Sequence, residues 1–368
     1  MLPAAPKDVG RLSDVFVSAA AAIGKGSENR LRLPKVSSAV VVLVDGLGYE
    51  NLTAASGYAR FLNSQKVEAM RCEFPSTTAT SLTGLATGMR SGEHGIIGYS
   101  VFDRNHEMVR NLLTGWSSRD EAKEFRKELP LSQQLGDVAT VVGPSAYAET
   151  GFTELTMTGA NYEAVDEISA RFRRAIDRSS SPGNLIYLYV PELDQLAHRF
   201  GVDSDNWLHG LEALDVDIKV FLDQVPANVG VLITADHGVL DVPTDKHIHL
   251  DELDWYTAAV NVTTGDPRCN FLYLEPGQDT EDVRALLVSS FGEQAYVVNH
   301  SELIAAGWLV EGNGNQTSYQ PDLYLIWQSG VVGYDRRTAK PQHLKMIGQH
   351  GAISDRETRI PLIRAGGF

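Results

Sequence analysis

The 368-residue sequence predicts an α/β fold with a mostly parallel central sheet. Four short, nearly continuous apolar runs carry this prediction, at residues 39–45, 138–143, 184–190 and 229–236. Apolar runs that do not alternate with polar residues are typical of parallel strands covered on both faces. Helix-like stretches at 162–177 and 207–225 separate the later runs, so strand and helix alternate along the chain.

The character of the sequence changes after Asp241, where turns and shorter strand-like pieces replace the apolar runs. We expect residues 242–342 to form a small inserted cap subdomain over the site, within one catalytic domain spanning residues 1–368. The chain then returns to the core through KMIGQHGAIS, residues 345–354.

The net charge of −15, from 32 basic and 47 acidic residues, argues against a protein that grips polymeric nucleic acid. A small phosphorylated substrate stays compatible with this charge, because a bound metal can supply local positive charge in a pocket. Cys72 and Cys269 lie far apart, which favours a reduced protein over a disulfide framework. Without a recognisable signal peptide or membrane span, we expect a cytoplasmic protein with no membrane partner; its oligomeric state stays open.

Acidic residues stand where three of the apolar runs end. Asp45 closes the first run, Asp194 follows the third within PELDQLAH, and Asp236 with His237 closes the fourth. In open α/β sheets, ligands gather outside the carboxyl ends of the strands. A single aspartate at such a position most often caps the following helix, whereas three at one edge indicate a site.

Two histidines extend this set. Asp194 and His198 are four residues apart, so on a helix they share a face and can bind one metal ion. That spacing is also common on solvated helix surfaces. His350 lies between glycines in GQHGAIS, a context that by itself indicates no more than a turn.

The segment FPSTTATSLTGLATG (74–88) is rich in hydroxyl groups and precedes a predicted helix from about Thr78 to Ala86. A hydroxyl at a helix start is first of all a cap, but the same place attracts anions. A threonine there becomes a nucleophile only where its pKa is lowered, which a bound metal achieves. Three aspartates, three histidines and one hydroxyl can hold two divalent ions, and oxygen and nitrogen ligands suit zinc, with manganese as an alternative.

Five segments, in this order, resemble the nucleotide pyrophosphatase/phosphodiesterase family of the alkaline phosphatase superfamily: VDGLGYENL, FPSTTATSLTGLATGMRSGEHGIIGYS, PELDQLAH, ADHG and GQHG. The resemblance extends from about Val41 to Gly351. It implies an alkaline-phosphatase-like three-layer sandwich with a small cap. It also implies a phosphodiesterase or nucleotide pyrophosphatase that acts on small phosphodiester or pyrophosphate substrates, nucleotides among them.

The same resemblance implies residue roles. One zinc site would consist of Asp45, Thr78, Asp236 and His237, and a second of Asp194, His198 and His350. Thr78 would be the nucleophile that forms a phosphothreonine intermediate.

One position departs from the family pattern. Family members commonly carry an asparagine that donates to a phosphoryl oxygen where this chain has Tyr99, in HGIIGYS. Tyr99 is therefore a candidate substrate contact, with packing beneath the cap as the alternative. We expect His94 to brace its loop, and His247 and His249 to line or cover the cleft as cap residues.

Other functions compete with this one. A phosphomonoesterase or a phosphonate hydrolase would keep the same residues and change the substrate. The sequence argues against a sulfatase, because the C/S-x-P-x-R pattern that such an enzyme resembles is absent around Thr78. A dinucleotide-binding protein fits poorly, because Asn51 stands at the third glycine of G-x-G-x-x-G and Asp45 precedes Gly46 and Gly48.

Overall fold

The computed structural model describes residues 2–7, 9–312, 318–328 and 330–368. Its strands, in chain order, are β1 (Ser38–Val44), β2 (Val67–Arg71), β3 (Ser100–Asp103), β4 (Met108–Asn111), β5 (Ala139–Gly143), β6 (Asn161–Ala164), β7 (Leu185–Val190), β8 (Val229–Thr234), β9 (Leu240–Asp241), β10 (His247–His249), β11 (Val260–Asp266), β12 (Cys269–Leu274), β13 (Ala295–Val298), β14 (Leu323–Trp327), β15 (Val332–Tyr334), β16 (Gly348–Gln349) and β17 (Arg359–Gly366).

The α-helices lie between these strands. In chain order they are α1 (Ser13–Ala22), α2 (Tyr49–Ala54), α3 (Arg60–Ser64), α4 (Thr78–Thr87), α5 (Arg119–Phe125), α6 (Leu131–Leu135), α7 (Gly151–Met157), α8 (Ile168–Ser179), α9 (Glu192–Phe200), α10 (Asp205–Gln224), α11 (Asp254–Ala259), α12 (Thr280–Phe291), α13 (His300–Ala305) and α14 (Asp355–Thr358).

The central sheet has seven strands in the order β2-β17-β8-β1-β7-β5-β6. All its pairs are parallel except those of β17, which runs antiparallel to β2 and β8. The residues of β1 and β8 are buried throughout, as expected for central strands with helices on both faces. The predicted α/β fold with a mostly parallel sheet is confirmed.

The three strands that deliver the site lie side by side. β1 pairs with β7 on one side and β8 on the other, with Val44 opposite Val190 and Leu43 opposite Thr234. The carboxyl ends of the three strands therefore stop at the same level. This register places the residues that follow them at one edge of the sheet.

One predicted helix begins too early. Residues 162–177 were expected to be helical, but Asn161–Ala164 forms strand β6, and the helix starts only at Ile168. The β6 backbone pairs in parallel with β5, and the Tyr162 hydroxyl donates to the Pro144 carbonyl. This pairing with a distant strand overrides the local helical pattern. The helix expected at 207–225 is confirmed as α10.

Within residues 242–342, hereafter the cap segment, β11, β12, β14 and β13 form an antiparallel sheet in that order. Positions 313–317 and 329 of this segment lie outside the described residues. One apolar cluster joins Phe271 and Tyr324 of this sheet to Phe74 and Ala79 of the core. The division into a core and a cap subdomain at these boundaries stays a prediction.

In the described part of the chain, no helix has both the length and the apolar character that crossing a membrane requires.

Candidate functional site

The first group of possible metal ligands consists of Asp45, Asp236 and His237, hereafter the first ligand group. One ligand atom from each lies within 4.8 Å of the others. His237 Nε2 is 3.4 Å from Asp45 Oδ1 and 3.5 Å from Asp236 Oδ2. All three residues are buried, and they follow the adjacent strands β1 and β8.

The second ligand group consists of Asp194, His198 and His350, whose ligand atoms also lie within 4.8 Å of one another. Asp194 and His198 share one face of α9, with His198 Nε2 3.1 Å from Asp194 Oδ2. His350 comes from the loop after β16. Its ring stacks on that of His237 with centroids 3.7 Å apart, so the two ligand groups adjoin.

The three histidines are oriented by backbone carbonyl groups. The Nδ1 atoms of His198, His237 and His350 lie within hydrogen-bonding distance of the carbonyl oxygens of Gly348, Gly238 and Ser76. A carbonyl oxygen only accepts, so each Nδ1 carries the proton and each Nε2 keeps its lone pair. This is the arrangement that metal-binding histidines commonly show.

The carboxylates of the site fit divalent cations in two further ways. Among the described residues, Asp45 Oδ1, Asp194 Oδ1 and Asp236 Oδ2 are buried without a hydrogen-bond donor. Burial and the charge of Asp194 raise the pKa of Asp236 to about 7, and burial with the charges of Asp236 and Asp194 raises that of Asp45 well above its ordinary value. Divalent cations bound between these carboxylates would offset the burial and the mutual repulsion of the negative charges, so both pKa values would fall.

Burial, followed by the charge of His198, lowers the pKa of His237 to about 3. The pKa of His350 is also lowered, by burial and by the charge of His237. Both rings therefore stay neutral near pH 7, which is the form that binds metal. Oxygen and nitrogen donors in two groups of three suit zinc or manganese.

Thr78 lies between the ligand groups and the cleft. It is the first residue of α4, and its Oγ1 is 3.2 Å from His237 Nε2. The preceding Thr77 has extended backbone, and its side chain makes no capping hydrogen bond. The backbone N–H groups at the start of α4 therefore stay available to an anion.

Two residues of the site were missed at the sequence level. The half-buried Tyr189 donates from its hydroxyl to Asp45 Oδ2 and thereby fixes the direction of this carboxylate. The buried Asp266 accepts from the Tyr99 backbone N–H at 3.2 Å, and burial raises its pKa to about 7. Tyr189 lies inside an apolar run and Asp266 inside the cap segment, so only the pairing of distant segments brings them here.

A cleft of about 690 Å³ opens over Thr78, Asp194, His198 and His350. Strand β11, the β3–β4 hairpin and residues 333–346 line its remaining walls. Tyr99 lines this cleft, and its ring packs edge to face with His343 at 6.1 Å. Lys340 lines the cap side of the same cleft.

The three remaining histidines singled out in the sequence, His94, His247 and His249, are not among the cleft-lining residues. His94 is buried, and its Nδ1 accepts from the Ile96 backbone N–H, so it braces the loop as expected. His247 and His249 lie on β10, which pairs with β15. Neither is among the cleft-lining residues; pairing with β15 positions them behind Tyr334, which does line the cleft, so their covering role stays a prediction.

A mostly parallel sheet with two adjoining ligand groups and a threonine at one edge is typical of an alkaline-phosphatase-like fold. The solved structures agree with this fold. Murine ectonucleotide pyrophosphatase/phosphodiesterase 5 matches with a TM-score of 0.68 at 17% identity, over 89% of this chain and 88% of that one. The human protein of the same name matches with a TM-score of 0.68 at 16% identity, over 89% and 87% of the two chains.

The sequence pattern of the type I phosphodiesterase/nucleotide pyrophosphatase family matches residues 39–353, so the chain belongs to this family. Bis(5'-adenosyl)-triphosphatase enpp4 of Xenopus laevis is 24% identical over 315 residues. That match covers 82% of this chain and 65% of the relative, so the chain spans slightly less than two thirds of its length. An inactive variant of the murine protein, solved in complex with AMP, matches with a TM-score of 0.67 at 16% identity over 89% and 88% of the chains.

Proposed function

We propose that the chain is a two-metal phosphodiesterase or nucleotide pyrophosphatase that acts through a phosphothreonine on Thr78. The observation that carries this proposal is the position of the Thr78 hydroxyl, 3.2 Å from His237, where the two ligand groups adjoin. Asp45, Asp236, His237 and Thr78 would hold one divalent cation, and Asp194, His198 and His350 the other, with zinc as the favoured metal.

Bound cations would lower the pKa of the Thr78 hydroxyl and neutralise charge on the phosphoryl group. Thr78 Oγ1 gives up its proton to solvent and attacks phosphorus, forming a new P–O bond while the bond to the leaving oxygen breaks; that oxygen leaves with the bonding electrons and takes a proton from solvent. The N–H groups that begin α4 face the phosphoryl oxygens during this step. Water then attacks the phosphothreonine, which releases the phosphorylated product and returns the proton to Thr78.

The proposed substrates are small phosphodiesters or pyrophosphates, and nucleotides fit this class best. The name of the Xenopus relative identifies a bis(5'-adenosyl)-triphosphatase, and the murine structure holds AMP. A cleft of about 690 Å³ has room for a ligand of nucleotide size. Tyr99 would contact this substrate from the wall of the cleft.

The test compares bis-p-nitrophenyl phosphate, p-nitrophenyl phosphate and a nucleoside pyrophosphate on the zinc-loaded full chain. We expect the diester and the pyrophosphate to be turned over faster than the monoester. Equal or faster turnover of the monoester would overturn the diesterase assignment in favour of a phosphomonoesterase. Metal analysis should find about two zinc ions per chain.

Thr78→Ala should abolish turnover while the protein retains most of its metal, because five of the other six ligands are buried side chains or histidines fixed by the backbone. Thr87→Ala is the matched control, since Thr87 ends the same helix and its hydroxyl bonds only backbone groups, the Thr83 carbonyl and the Met89 N–H. Retained activity in the Thr78 variant would remove this residue from its role.

A further inference from the structure

Each carboxylate of the first ligand group has one oxygen that is already engaged. Asp236 Oδ1 accepts from the backbone N–H groups of Gly46 and His237, at 3.1 and 3.0 Å. Asp45 Oδ2 accepts from the Tyr189 hydroxyl, so here a side chain does what the backbone does for Asp236. The opposite oxygens, Asp45 Oδ1 and Asp236 Oδ2, are buried without a donor among the described residues. Each carboxylate therefore presents a single free oxygen.

Tyr189 is itself held by its neighbours. Its ring packs against those of Tyr147 and Tyr187, with centroids 5.9 and 6.0 Å away. The Tyr147 hydroxyl in turn accepts from Gln195 Nε2 at 3.2 Å, and Gln195 lies on α9 beside the ligand Asp194. The Tyr189 hydroxyl cannot turn away from Asp45 without displacing these rings.

The second ligand group lacks such a restraint. In the part of the chain that the structure describes, Asp194 Oδ1 is buried without a donor. Asp194 Oδ2 lies 3.1 Å from His198 Nε2, which carries no proton because the Nδ1 of that ring donates to the Gly348 carbonyl. Asp194 can therefore bind an ion through one oxygen or through both.

This difference bears on the choice of metal. The first ligand group and Thr78 offer four donor atoms, one from each residue, and four is the number that zinc prefers. Manganese favours about six donors, most of them oxygen. A carboxylate with both oxygens open can supply one of the additional donors, and the Tyr189 hydroxyl occupies the oxygen of Asp45 that would do so.

We infer that Tyr189 is the positioning residue that restricts Asp45 to binding through one oxygen, and that it thereby makes the first site selective for zinc over manganese. The inference rests on the proposed two-metal function and adds to it which site discriminates between metals. Hydrogen bonds to metal-binding carboxylates commonly orient them and strengthen metal binding.

The experiment measures zinc and manganese affinities of the metal-free full chain by competition with a chelator of known affinity. Tyr189→Phe removes only the hydroxyl and should lower zinc affinity about 10-fold to 100-fold. Manganese affinity should fall by a smaller factor, because manganese makes use of the released oxygen of Asp45. A repeat in a His198→Ala background, which leaves only the first ligand group complete, assigns the change to that site.

Tyr187→Phe is the matched control. Tyr187 lies two residues earlier on β7, and its buried hydroxyl has no hydrogen-bond partner among the described residues. This variant should keep both affinities. Cobalt in place of zinc provides a spectroscopic readout, since its visible absorption weakens when it binds more than four donors. The cobalt spectrum should weaken in Tyr189→Phe and match wild type in Tyr187→Phe.

The unaltered Tyr189 can be tested as well. The His198→Ala and Asp236→Asn variants each leave one ligand group complete, and the ratio of zinc affinity to manganese affinity should be higher in His198→Ala. Thermal unfolding of the metal-free variants verifies that the fold is retained. An equal ratio in these two variants would contradict the inferred role of the hydroxyl.

Two results with Tyr189→Phe would also overturn the inference: zinc affinity within about twofold of wild type, or equal losses of zinc and manganese affinity. The failure of the proposed function is distinguishable from these results, because metal binding is measured without turnover. A wild-type chain that hydrolyses no phosphoric ester yet selects zinc in a Tyr189-dependent manner would contradict the proposed function and support the inference.

Discussion

The two walls of the cleft differ in how firmly their polar groups are held. On the core wall, here taken to include the first ligand group directly behind the cleft lining, Asp45, Asp236 and His237 are at most 3% exposed, and hydrogen bonds to backbone or to Tyr189 orient them. On the cap wall, Asp266 and Asp335 are buried as well, but Thr338 and Lys340 are exposed to solvent. A wall of buried, oriented ligands can hold metal ions, whereas exposed polar groups adapt to different ligands.

This difference assigns separate tasks to the two walls. Chemistry common to all substrates belongs to the core wall, because it depends on the two ligand groups and Thr78. Choice among substrates belongs to the cap wall, since its groups reach parts of the substrate beyond the phosphoryl group. Substitutions on the core wall should lower the turnover of every substrate, and substitutions on the cap wall should change the ratio between substrates.

The largest loss of activity is expected for Asp236→Asn. Asp236 Oδ1 accepts from the backbone N–H groups of Gly46 and His237, while Oδ2 is buried without a donor. An asparagine keeps the accepting oxygen but directs an NH₂ group toward the metal position. We expect kcat to fall on the order of 10⁴-fold for every substrate, and metal analysis should show a loss of bound zinc.

Asp241→Asn is the matched control for this change. Asp241 also accepts from backbone N–H groups, those of Val202 and Asp203, but it lies outside both ligand groups. It should retain both zinc ions and activity. A selective loss for one substrate in the Asp236 variant would contradict the assignment of common chemistry to the core wall.

The second-largest effect is a loss of stability, expected when the ion pair that links the two walls is broken. The buried Arg268, between β11 and β12, forms a two-point ion pair with Glu357 at 3.0 and 2.9 Å. Glu357 also accepts from the Ala352 N–H and the Ser354 hydroxyl, in the loop that follows His350. Arg268→Met leaves this carboxylate buried without its partner, so we expect unfolding free energy to fall by about 3–5 kcal/mol.

Urea unfolding measures this loss, and zinc affinity should fall with it because the His350 loop is no longer held. Lys219→Met breaks the exposed pair with Asp223 and should change stability little. Arg268→Met combined with Glu357→Gln should be more stable than the Arg268 variant, since no buried charge remains unpaired. Wild-type stability in the single variant would contradict the proposed link.

The sequence predicted the functional residues of the core wall far better than those of the cap wall. Asp45 and Asp236 end continuous apolar strands, so the position of the sheet edge follows from local pattern alone. Asp266 lies on β11, and the hydrogen bond that it accepts from the Tyr99 N–H depends on how β11 docks beside the β3–β4 hairpin. No spacing rule along the chain encodes such docking. The same limit explains the helix expected at 162–177, where pairing with β5 replaced local preference.

The smallest effect is expected at Lys340, the lysine on the cap side of the cleft. Burial lowers the pKa of His343, and the nearby charges of Lys340 and His198 lower it further. Lys340 therefore lies in the same part of the cleft as the second ligand group. A substrate whose leaving group carries negative charge would meet Lys340 on this side. Lys340→Met should therefore lower kcat/KM for a nucleoside pyrophosphate about twofold to fivefold, and leave bis-p-nitrophenyl phosphate unaffected.

Lys345→Met is the matched control, since Lys345 lies shortly after Lys340 in the chain but is not among the residues that line the cleft. The effect at Lys340 should shrink as salt is added, because exposed charges are screened over roughly 10 Å at moderate ionic strength. Steady-state kinetics at low and high salt with both substrates measure this. Bis-p-nitrophenyl phosphate carries no negative charge beyond its phosphoryl group. An equal loss with this diester would show that Lys340 acts on every substrate, and would remove the proposed distinction between the two walls.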